Sequence, residues 1–563
     1  MNKDLYDVSL EPWITVENLD GTLSQVGFQE LLIQASNYRR LVSETPAQGS
    51  AIFRQCLAIA HFLISQYELD GTKQELEEED LQEALDRWAA YWNAGKIPEN
   101  IVIQYFNQNR STFNLIDEKR PFMQVPMAKR GTYYNVSKMT EAESSNKSRL
   151  FSMRSGSEKE TISLAEGAAW LYAAIGFDDT SGKPSKLGKK QAEEHGTKIP
   201  SPGCGWLGKI GAIYPQGKNL FETILLNLPL INEQELVWPP DRFCWDSPQE
   251  RWRERNHISK PKSFSELMTL YSRFILFDLD RENQRIKGYW LLGGEFFDKE
   301  NCNEPFTLWK PVKVKTGEVG QFTPKRHTET RQAWRNFSEI VNPARDQSTR
   351  QPGIVEWIKL LEEEGLLPNN YPIHFEMPFV SYGDKDFFIT NTSAQSLEFY
   401  PSLLMDLGES WRREVESQIE KLDKLASYTG FFFQNLAKIQ GCSGDMSKSY
   451  WVQGSERLYE KVDEPFLKWI ASLNPKEEGT NGFSLKKKEW EKKAYQIARQ
   501  IVDVQMRRLS TRKLDGLIGR TVRDKEEERT LSVFEVERSY LRQVNKLYSN
   551  VEEKKGEKDA QFT

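Results

Sequence analysis

Residues 203–208 have the sequence GCGWLG, which satisfies the G-x-G-x-x-G spacing used by many proteins to hold the pyrophosphate of a dinucleotide. That chemistry requires a buried strand before the glycines and a helix after them, so that amide groups and the helix dipole face the phosphate. Here IPSP precedes the motif and KIGAIYPQG follows it. Because prolines and glycines occupy the places of the strand and the helix, we predict a Gly-rich loop and a short strand. A dinucleotide-dependent enzyme is kept as an alternative.

The basic stretch at residues 128–157, AKRGTYYNVSKMTEAESSNKSRLFSMRSGS, is a second candidate for ligand chemistry. It interleaves lysine and arginine with aromatic residues, a mixture that contacts phosphates and stacks on bases. It has no clear periodicity, so the sequence predicts a loop of about 30 residues. A mobile linker without a ligand is an equally good interpretation. The residues that motivate the hypothesis are Lys129, Arg130, Tyr133, Tyr134, Lys138, Lys147, Arg149, Phe151 and Arg154.

Metal and disulfide chemistry have little support in the sequence. The five cysteines form no C-x-x-C pair, and the five histidines show no H-E-x-x-H spacing. We therefore expect no metal site and no cofactor. No apolar run reaches the roughly 20 residues that span a bilayer, and the first residues lack a leader sequence, so we expect a cytoplasmic protein without a membrane partner.

The net charge of −6 is distributed unevenly. Residues 1–110 carry 17 acidic and 8 basic side chains, whereas residues 486–523 carry 12 basic and 4 acidic ones. This asymmetry is compatible with a basic surface that follows phosphates on an otherwise acidic body. A solvated helix face, or a contact with an acidic neighbour, explains the basic run equally well.

The elements that must position these residues change in character near residue 400. Before it, helices mix with short strands, and VSYGDKDFFI predicts a β-hairpin with residues 383–386 at its tip. After it, four amphipathic stretches predict a four-helix bundle, with Val504 and Phe534 among the apolar positions. We therefore predict an α+β fold with three parts: a mixed α/β domain over 1–398, a bundle over 399–552 and a disordered tail over 553–563.

The order of the segments resembles the CasA family, the large subunit of the type I-E CRISPR complex Cascade. The motifs that carry the resemblance occur in family order from about residue 12 to about residue 475. They are EPWITV, FNLIDEKRPFMQV, AAWLYAAIGFDDTSGKPS, GCGWLGKIGAIYPQGKNLFETILLNLPL, DSPQERW, SFSELMTLYSRFI, FTPKRH and YWVQGSERLYEKVDEPFLKWIASL.

The resemblance implies a protein that is not an enzyme and that works inside a ribonucleoprotein with other Cascade subunits. Family members recognise the protospacer-adjacent motif in double-stranded DNA and start the strand separation that leads to an R-loop. They also contact the 5′ end of the guide CRISPR RNA and recruit a helicase-nuclease. A helical scaffold that assembles partners without touching nucleic acid is the other alternative.

The resemblance also implies particular site residues for the DNA motif. Ser181 and Gly182 in DDTSGKPS correspond to a loop whose backbone approaches the minor groove, where glycine lets peptide groups reach the base edges. Lys325 in FTPKRH corresponds to a lysine in the same groove, with Arg326 as the main competitor. An ammonium group there distinguishes A·T from G·C but little else.

Two further site assignments follow from the same resemblance. The strand-separating wedge corresponds to the tip residues Gly383, Asp384, Lys385 and Asp386, although the tip lacks the Asn and Gln side chains of one relative. The loop that meets the guide RNA and the DNA corresponds to the basic stretch. Its predicted contacts are Lys129, Arg130, Arg149, Phe151, Ser152, Met153 and Arg154.

Overall fold

The structure is a computed structural model of the 563-residue chain. It describes residues 5–140, 143–144, 147–148, 154, 156–180, 203–254, 258–297, 303–312, 322–341, 350–510, 520–524 and 527–548. The chain divides into two compact units. The first unit comprises Met1–Ala333, Asn342–Leu366 and Ile373–Ser396, and the second comprises Trp334–Val341, Leu367–Pro372 and Leu397–Thr563.

Fifteen α-helices lie within the described residues. They are α1 (Phe28–Ile33), α2 (Pro46–Gln66), α3 (Leu81–Ala94), α4 (Glu99–Gln108), α5 (Val136–Met139), α6 (Leu164–Phe177), α7 (Leu220–Leu226), α8 (Pro248–Glu254), α9 (Phe264–Met268), α10 (Phe337–Val341), α11 (Gly353–Glu363), α12 (Glu409–Ile439), α13 (Gly444–Ala471), α14 (Pro475–Ser510) and α15 (Val533–Leu547). Among these described helices, none has the length and apolarity that a membrane span requires.

The described strands are short. They are β1 (Ile14–Asn18), β2 (Leu23–Val26), β3 (Tyr38–Val42), β4 (Thr132–Asn135), β5 (Glu143–Ser144), β6 (Lys147–Ser148), β7 (Ile162–Ser163), β8 (Tyr214–Gln216), β9 (Ile258–Ser259), β10 (Arg273–Asp280), β11 (Arg285–Gly293), β12 (Phe296–Phe297), β13 (Leu308–Pro311), β14 (Phe322–Lys325), β15 (Ile373–Tyr382), β16 (Ile389–Phe399), β17 (Arg520–Asp524) and β18 (Glu527–Leu531).

Helix α2 forms the centre of the first unit. Nearly every residue is buried, including polar ones such as Arg54 and His61, as expected for a helix surrounded by other elements. Thr45 caps its first turn by accepting a hydrogen bond from the Gln48 amide, and Pro46 occupies the first helical position. Helices α6 and α9 and strand β15 pack against it. These neighbours carry the segments of the candidate site.

The larger sheets of the first unit have the strand orders β2-β1-β3, β10-β11-β4 with β7 also paired to β11, and β16-β15-β8. Two-stranded sheets are formed by β9 and β12, by β13 and β14, and by β5 and β6. The DG turn in PWITVENLDGTLSQVGF predicts a hairpin, which is present as β1 and β2, and the predicted hairpin of β15 and β16 is present as well. Two local predictions are wrong. The spacing of apolar residues predicts helix from Gln29 to Tyr67, but Tyr38–Val42 within it is a strand. The basic stretch contains β4 and α5 where a loop was predicted. Both strands form by pairing with distant partners, which local periodicity does not reveal.

The second unit is helical and confirms the α+β fold with a C-terminal four-helix bundle. Helix α12 packs on α13, α14 and α15, and α14 also packs on α13 and α15. The predicted apolar positions Val504 and Phe534 are wrong, because both side chains are exposed. The buried face of α15 is formed by Val533, Val536, Tyr540 and Val544, and Phe534 lies outside it. The hairpin of β17 and β18 was not predicted.

Candidate nucleic-acid interface

Arg273, at the start of β10, joins the two chain segments that flank residues 181–202. Its side chain is fully buried. The Nε atom donates to Asp178 Oδ2 at 2.8 Å, and Nη2 donates to the Gly203 carbonyl at 2.5 Å. The amide of Gly205 adds a 2.9 Å hydrogen bond to the Asp178 carbonyl. The described residues on both sides of the DDTSGKPS segment are therefore fixed to one buried guanidinium.

A second buried cation supports the same segment. Lys138 Nζ lies 3.2 Å from Asp178 Oδ1, 3.8 Å from Asp179 Oδ1 and 4.2 Å from the centroid of the Tyr134 ring. Burial opposes the charge on Lys138, but the two carboxylates outweigh it and raise the pKa of the ammonium group above its ordinary value. The acidic pair before Ser181 is thus neutralised from within the protein.

The glycines of GCGWLG allow close packing of the backbone. Gly203 has a φ of 72°, in the left-handed region. A Cβ on Gly205 would lie 2.2 Å from the Gly176 carbonyl oxygen, and one on Gly208 would lie 2.0 Å from the Tyr382 hydroxyl. A single 3-10 turn over Trp206–Gly208 is followed by β8 and not by an α-helix. The context that a dinucleotide site requires is absent from this described stretch.

Lys325 and Arg326 lie where β14 ends. Lys325 is paired with Leu308 of β13, and its side chain is half-buried. The two terminal nitrogens of Arg326 donate to the two carboxylate oxygens of Asp386, each at 2.9 Å, and Nη2 also lies 2.9 Å from Cys204 Sγ. Burial opposes the charge on Arg326, but the hydrogen bonds to Asp386 raise the pKa of its guanidinium. Arg326 is thus engaged by the hairpin tip.

The hairpin tip, residues 383–388, has an unusual backbone that is supported from outside. Lys385 and Asp386 have φ values of 53° and 59°, which are unfavourable for residues with side chains. The Thr180 amide donates to the Asp386 carbonyl at 2.9 Å, and Thr180 Oγ1 donates to the Asp386 carbonyl at 2.8 Å and to the Lys385 carbonyl at 2.9 Å. The residue immediately before Ser181 therefore holds the tip in place.

Three segments that were proposed separately from the sequence thus meet in one unit. They are the residues before Ser181, the end of β14 and the hairpin tip. We call this group the reading cluster and define it as Asp178–Thr180, Lys325–Arg326 and Gly383–Phe388. Other predicted site residues, namely Ser181, Gly182, Arg149, Phe151, Ser152 and Met153, lie outside the described residues.

The described members of the predicted guide-contacting loop have different surroundings. Lys129 and Arg130 are exposed at the end of a 3-10 helix, and Lys129 Nζ lies 5.4 Å from the centroid of the Trp290 ring. Arg154 instead forms ion pairs with Glu44 at 2.7 Å and with Glu166 at 2.8 Å, and only 11% of its side chain is exposed. Both terminal nitrogens of Arg154 thus already donate to carboxylates.

Sequence reasoning missed four residues of this site. Arg273 and Thr180 are unremarkable in the sequence, because their partners lie far away along the chain. Phe387 and Phe388 follow the predicted tip directly, and 44% and 38% of their surfaces are exposed. Two adjacent large aromatic residues after a turn predict that at least one ring is exposed, because successive side chains of a strand point to opposite faces and a strand cannot bury both on one face.

Comparison with solved structures identifies the fold. The crystal structure of Thermobifida fusca Cse1 matches with a TM-score of 0.79 and 25% identity, over 98% of this chain and 99% of that one. A chain of a CRISPR RNA-guided surveillance complex matches with a TM-score of 0.65 and 14% identity, over 96% of this chain and 99% of that one. The fold is therefore that of large CRISPR-associated proteins.

Comparison of sequences identifies the family. The CRISPR-associated protein CasA/Cse1 of Thermus thermophilus is 27% identical over 238 residues, which are 41% of this chain and 42% of that relative, so the alignment covers less than half of either protein. The model of the CRISPR-associated protein Cse1 family matches residues 7–501. The chain belongs to the Cse1 family.

Proposed function

We propose that this protein is the DNA-motif-reading subunit of a type I-E CRISPR surveillance complex, Cascade. In this role it recognises the protospacer-adjacent motif in double-stranded DNA and promotes strand separation and R-loop formation. It also contacts the 5′ end of the guide RNA and recruits the helicase-nuclease, without catalysing a reaction itself. It acts in the cytoplasm beside the other Cascade subunits. Membership of the Cse1 family and the similarity to a chain of a surveillance complex support this assignment.

The convergence of the reading cluster is the observation that carries the DNA part of the proposal. A minor-groove reader and a strand-separating wedge must act on neighbouring base pairs, so their residues must lie close together. Thr180 contacts the tip directly, and Arg326 joins the tip to the end of β14. A helical scaffold that binds only proteins does not require these residues to lie close together, so the arrangement favours the DNA-reading role.

Within the cluster, the proposal assigns different tasks to neighbouring residues. Ser181 and Gly182 offer backbone groups to the minor groove, and Lys325 donates from its ammonium group to A N3 or T O2. Arg326 is occupied by Asp386 and braces the tip. The exposed residues Lys129 and Arg130 remain candidates for the guide RNA phosphates.

Replacement of Lys325 tests the proposal in the complex purified with its natural neighbours. We expect Lys325→Ala to weaken binding to a motif-bearing duplex about fivefold, or about 1 kcal/mol, because one groove contact is lost. The co-purifying guide RNA should be unchanged. Binding is measured against duplexes with and without the motif at one salt concentration, because phosphate contacts make affinity steeply dependent on salt.

Lys96→Ala is the matched control, because Lys96 is an exposed lysine that lies just after α3 and outside the reading cluster. It removes the same charge and should bind DNA like the wild type. Equal binding by Lys325→Ala and the wild type would show that the lysine assignment is wrong. A purified assembly without RNA would contradict the Cascade role and favour the helical scaffold.

A further inference from the structure

We propose that Phe387 is a base-stacking residue: its ring covers the face of the first unpaired base when a DNA duplex opens beside the motif. This inference rests on the proposed function, because it names the ligand of the same site. It assigns the wedge to the aromatic residue that follows residues 383–386 and not to those four residues.

The two aromatic residues of the tip are not equivalent. The ring of Phe388 covers Gly383, since a Cβ on Gly383 would lie 2.2 Å from its Cζ. The Phe388 carbonyl also accepts a 2.8 Å hydrogen bond from the Gly383 amide. Phe388 therefore closes the turn. Phe387 is the more exposed of the two, at 44%, and directly follows the 3-10 turn Asp384–Asp386.

The backbone beneath Phe387 is fixed before any DNA arrives. Its amide donates to the Asp384 carbonyl at 3.2 Å. The residue before it, Asp386, is held through its side chain by Arg326 and through its carbonyl by Thr180. A ring presented from a fixed turn loses little conformational entropy on binding, so more of the stacking energy is available to the complex.

The acidic tip residues are poorly suited to stabilise an unstacked base. The Asp384 carboxylate repels phosphates, and the Asp386 carboxylate is already paired with Arg326. An aromatic ring stacks on any base, and apolar side chains inserted between base steps are a common way to open a duplex. One such contact offsets a sizeable part of the cost of unstacking a single step.

The surroundings of the exposed ring favour DNA over a protein partner. Phe387 is linked through Asp386 to Thr180, which precedes the proposed minor-groove segment, and to Arg326, which follows Lys325. A protein that covered Phe387 would therefore also cover the proposed motif reader. A protein partner is one of the outcomes that the test distinguishes.

The test compares two DNA substrates bound by the assembled complex. One is an intact motif-bearing duplex with 2-aminopurine at the first target position, whose fluorescence rises when the base unstacks. The other is the same duplex with that position already unpaired by mismatches. We expect Phe387→Ala to reduce opening of the intact duplex about tenfold and to bind the mismatched duplex about tenfold more weakly, because the same stacking contact is lost on both substrates. The mismatched duplex itself should stay open with both proteins. Phe387→Trp keeps an aromatic ring and should retain most of the opening.

Leu23→Ala is the matched control, because Leu23 is a 62% exposed apolar residue at the start of β2 in another hairpin of the same unit. Normal opening by Phe387→Ala overturns the inference. Loss of a Cascade subunit from the purified Phe387→Ala complex also overturns it, in favour of a protein contact. If the wild-type complex does not open the motif-bearing duplex, the proposed function is wrong as well. If the wild-type and Phe387→Ala complexes both open it, only the stacking role is wrong.

Discussion

His327 shows how burial sets the chemistry of a single residue beside the reading cluster. It lies two residues after Lys325, and its Nε2 donates to the Ala212 carbonyl at 2.8 Å. Burial, with a smaller contribution from the nearby Lys325, lowers the pKa of its imidazole to about 4. The neutral ring therefore ties the end of β14 to the segment that follows GCGWLG.

This pKa predicts that acidification destabilises the first unit. The unfolded chain protonates His327 near pH 6.5, whereas the folded protein does so only near pH 4. The unfolded state thus binds more protons between these values. The contribution of His327 to the unfolding free energy is fully present above about pH 6.5, and the unfolding free energy falls by about 3 kcal/mol as the pH drops to about 4. Urea unfolding at several pH values measures this slope.

His327→Gln is the comparison variant, because glutamine can donate to Ala212 and does not titrate. Its stability should depend less on pH between about 4 and 6.5 than that of the wild type. An identical slope in the two proteins would assign the acid sensitivity to other groups.

At the scale of elements, local signals predict where some helices end: in LQEALDRWAAYWNAG the final glycine predicts a helix that ends there. Helix α3 ends at Gly95, whose φ of 68° gives the left-handed C-cap that a glycine favours. The hairpin tip likewise follows from turn residues. Strand β3 was missed because its pairing with β1 supplies the stability that its own sequence does not show.

The contacts within the candidate site could not be predicted from local sequence patterns, because they join residues that are far apart along the chain. The sequence named the tip and Arg326, but their ion pair joins residues 60 positions apart. Arg273 and Asp178 are 95 positions apart. Spacing rules describe neighbours within one helix or strand, so they identify candidate residues without showing which of them meet.

The Arg326–Asp386 pair predicts how β14 and the hairpin tip cooperate. Because both side chains are partly exposed, we expect a coupling energy of only about 1 kcal/mol. Arg326→Ala and Asp386→Ala should each reduce duplex opening to a similar extent, and the double variant should be no worse than either. The exchange variant R326D/D386R should recover part of the loss. The 2-aminopurine signal of the motif-bearing duplex measures all four variants.

A direct DNA contact by Arg326 gives a different pattern. Asp386→Ala would then be nearly normal, and the exchange variant would be as impaired as Arg326→Asp alone. An exchange in the exposed pair of Glu409 and Arg413 in helix α12 is the control, and it should leave duplex opening unchanged.

At the scale of the molecule, the second unit is not continuous in sequence. Trp334 precedes the bundle by more than 60 residues, yet it is fully buried in the second unit. Its Nε1 donates to Asp463 Oδ1 at 2.7 Å, and its ring lies edge-on to Phe466 with 4.8 Å between centroids. A bundle fragment that begins at residue 399, as the sequence suggests, lacks this side chain.

Trp334 therefore predicts how the whole chain unfolds. Trp334→Ala leaves a cavity beside Phe466 and an unpaired carboxylate at Asp463, so the unfolding free energy of the second unit should fall by about 3–5 kcal/mol. The stability of the first unit should be unchanged. If the wild type unfolds in one urea transition, the variant should show two, and if the wild type already shows two, the transition of the second unit should move to a lower urea concentration. Phe431→Ala in α12 is the control, because the Phe431 side chain is exposed and its loss should cost little. If both units of Trp334→Ala lost stability together, they would behave as one cooperative body.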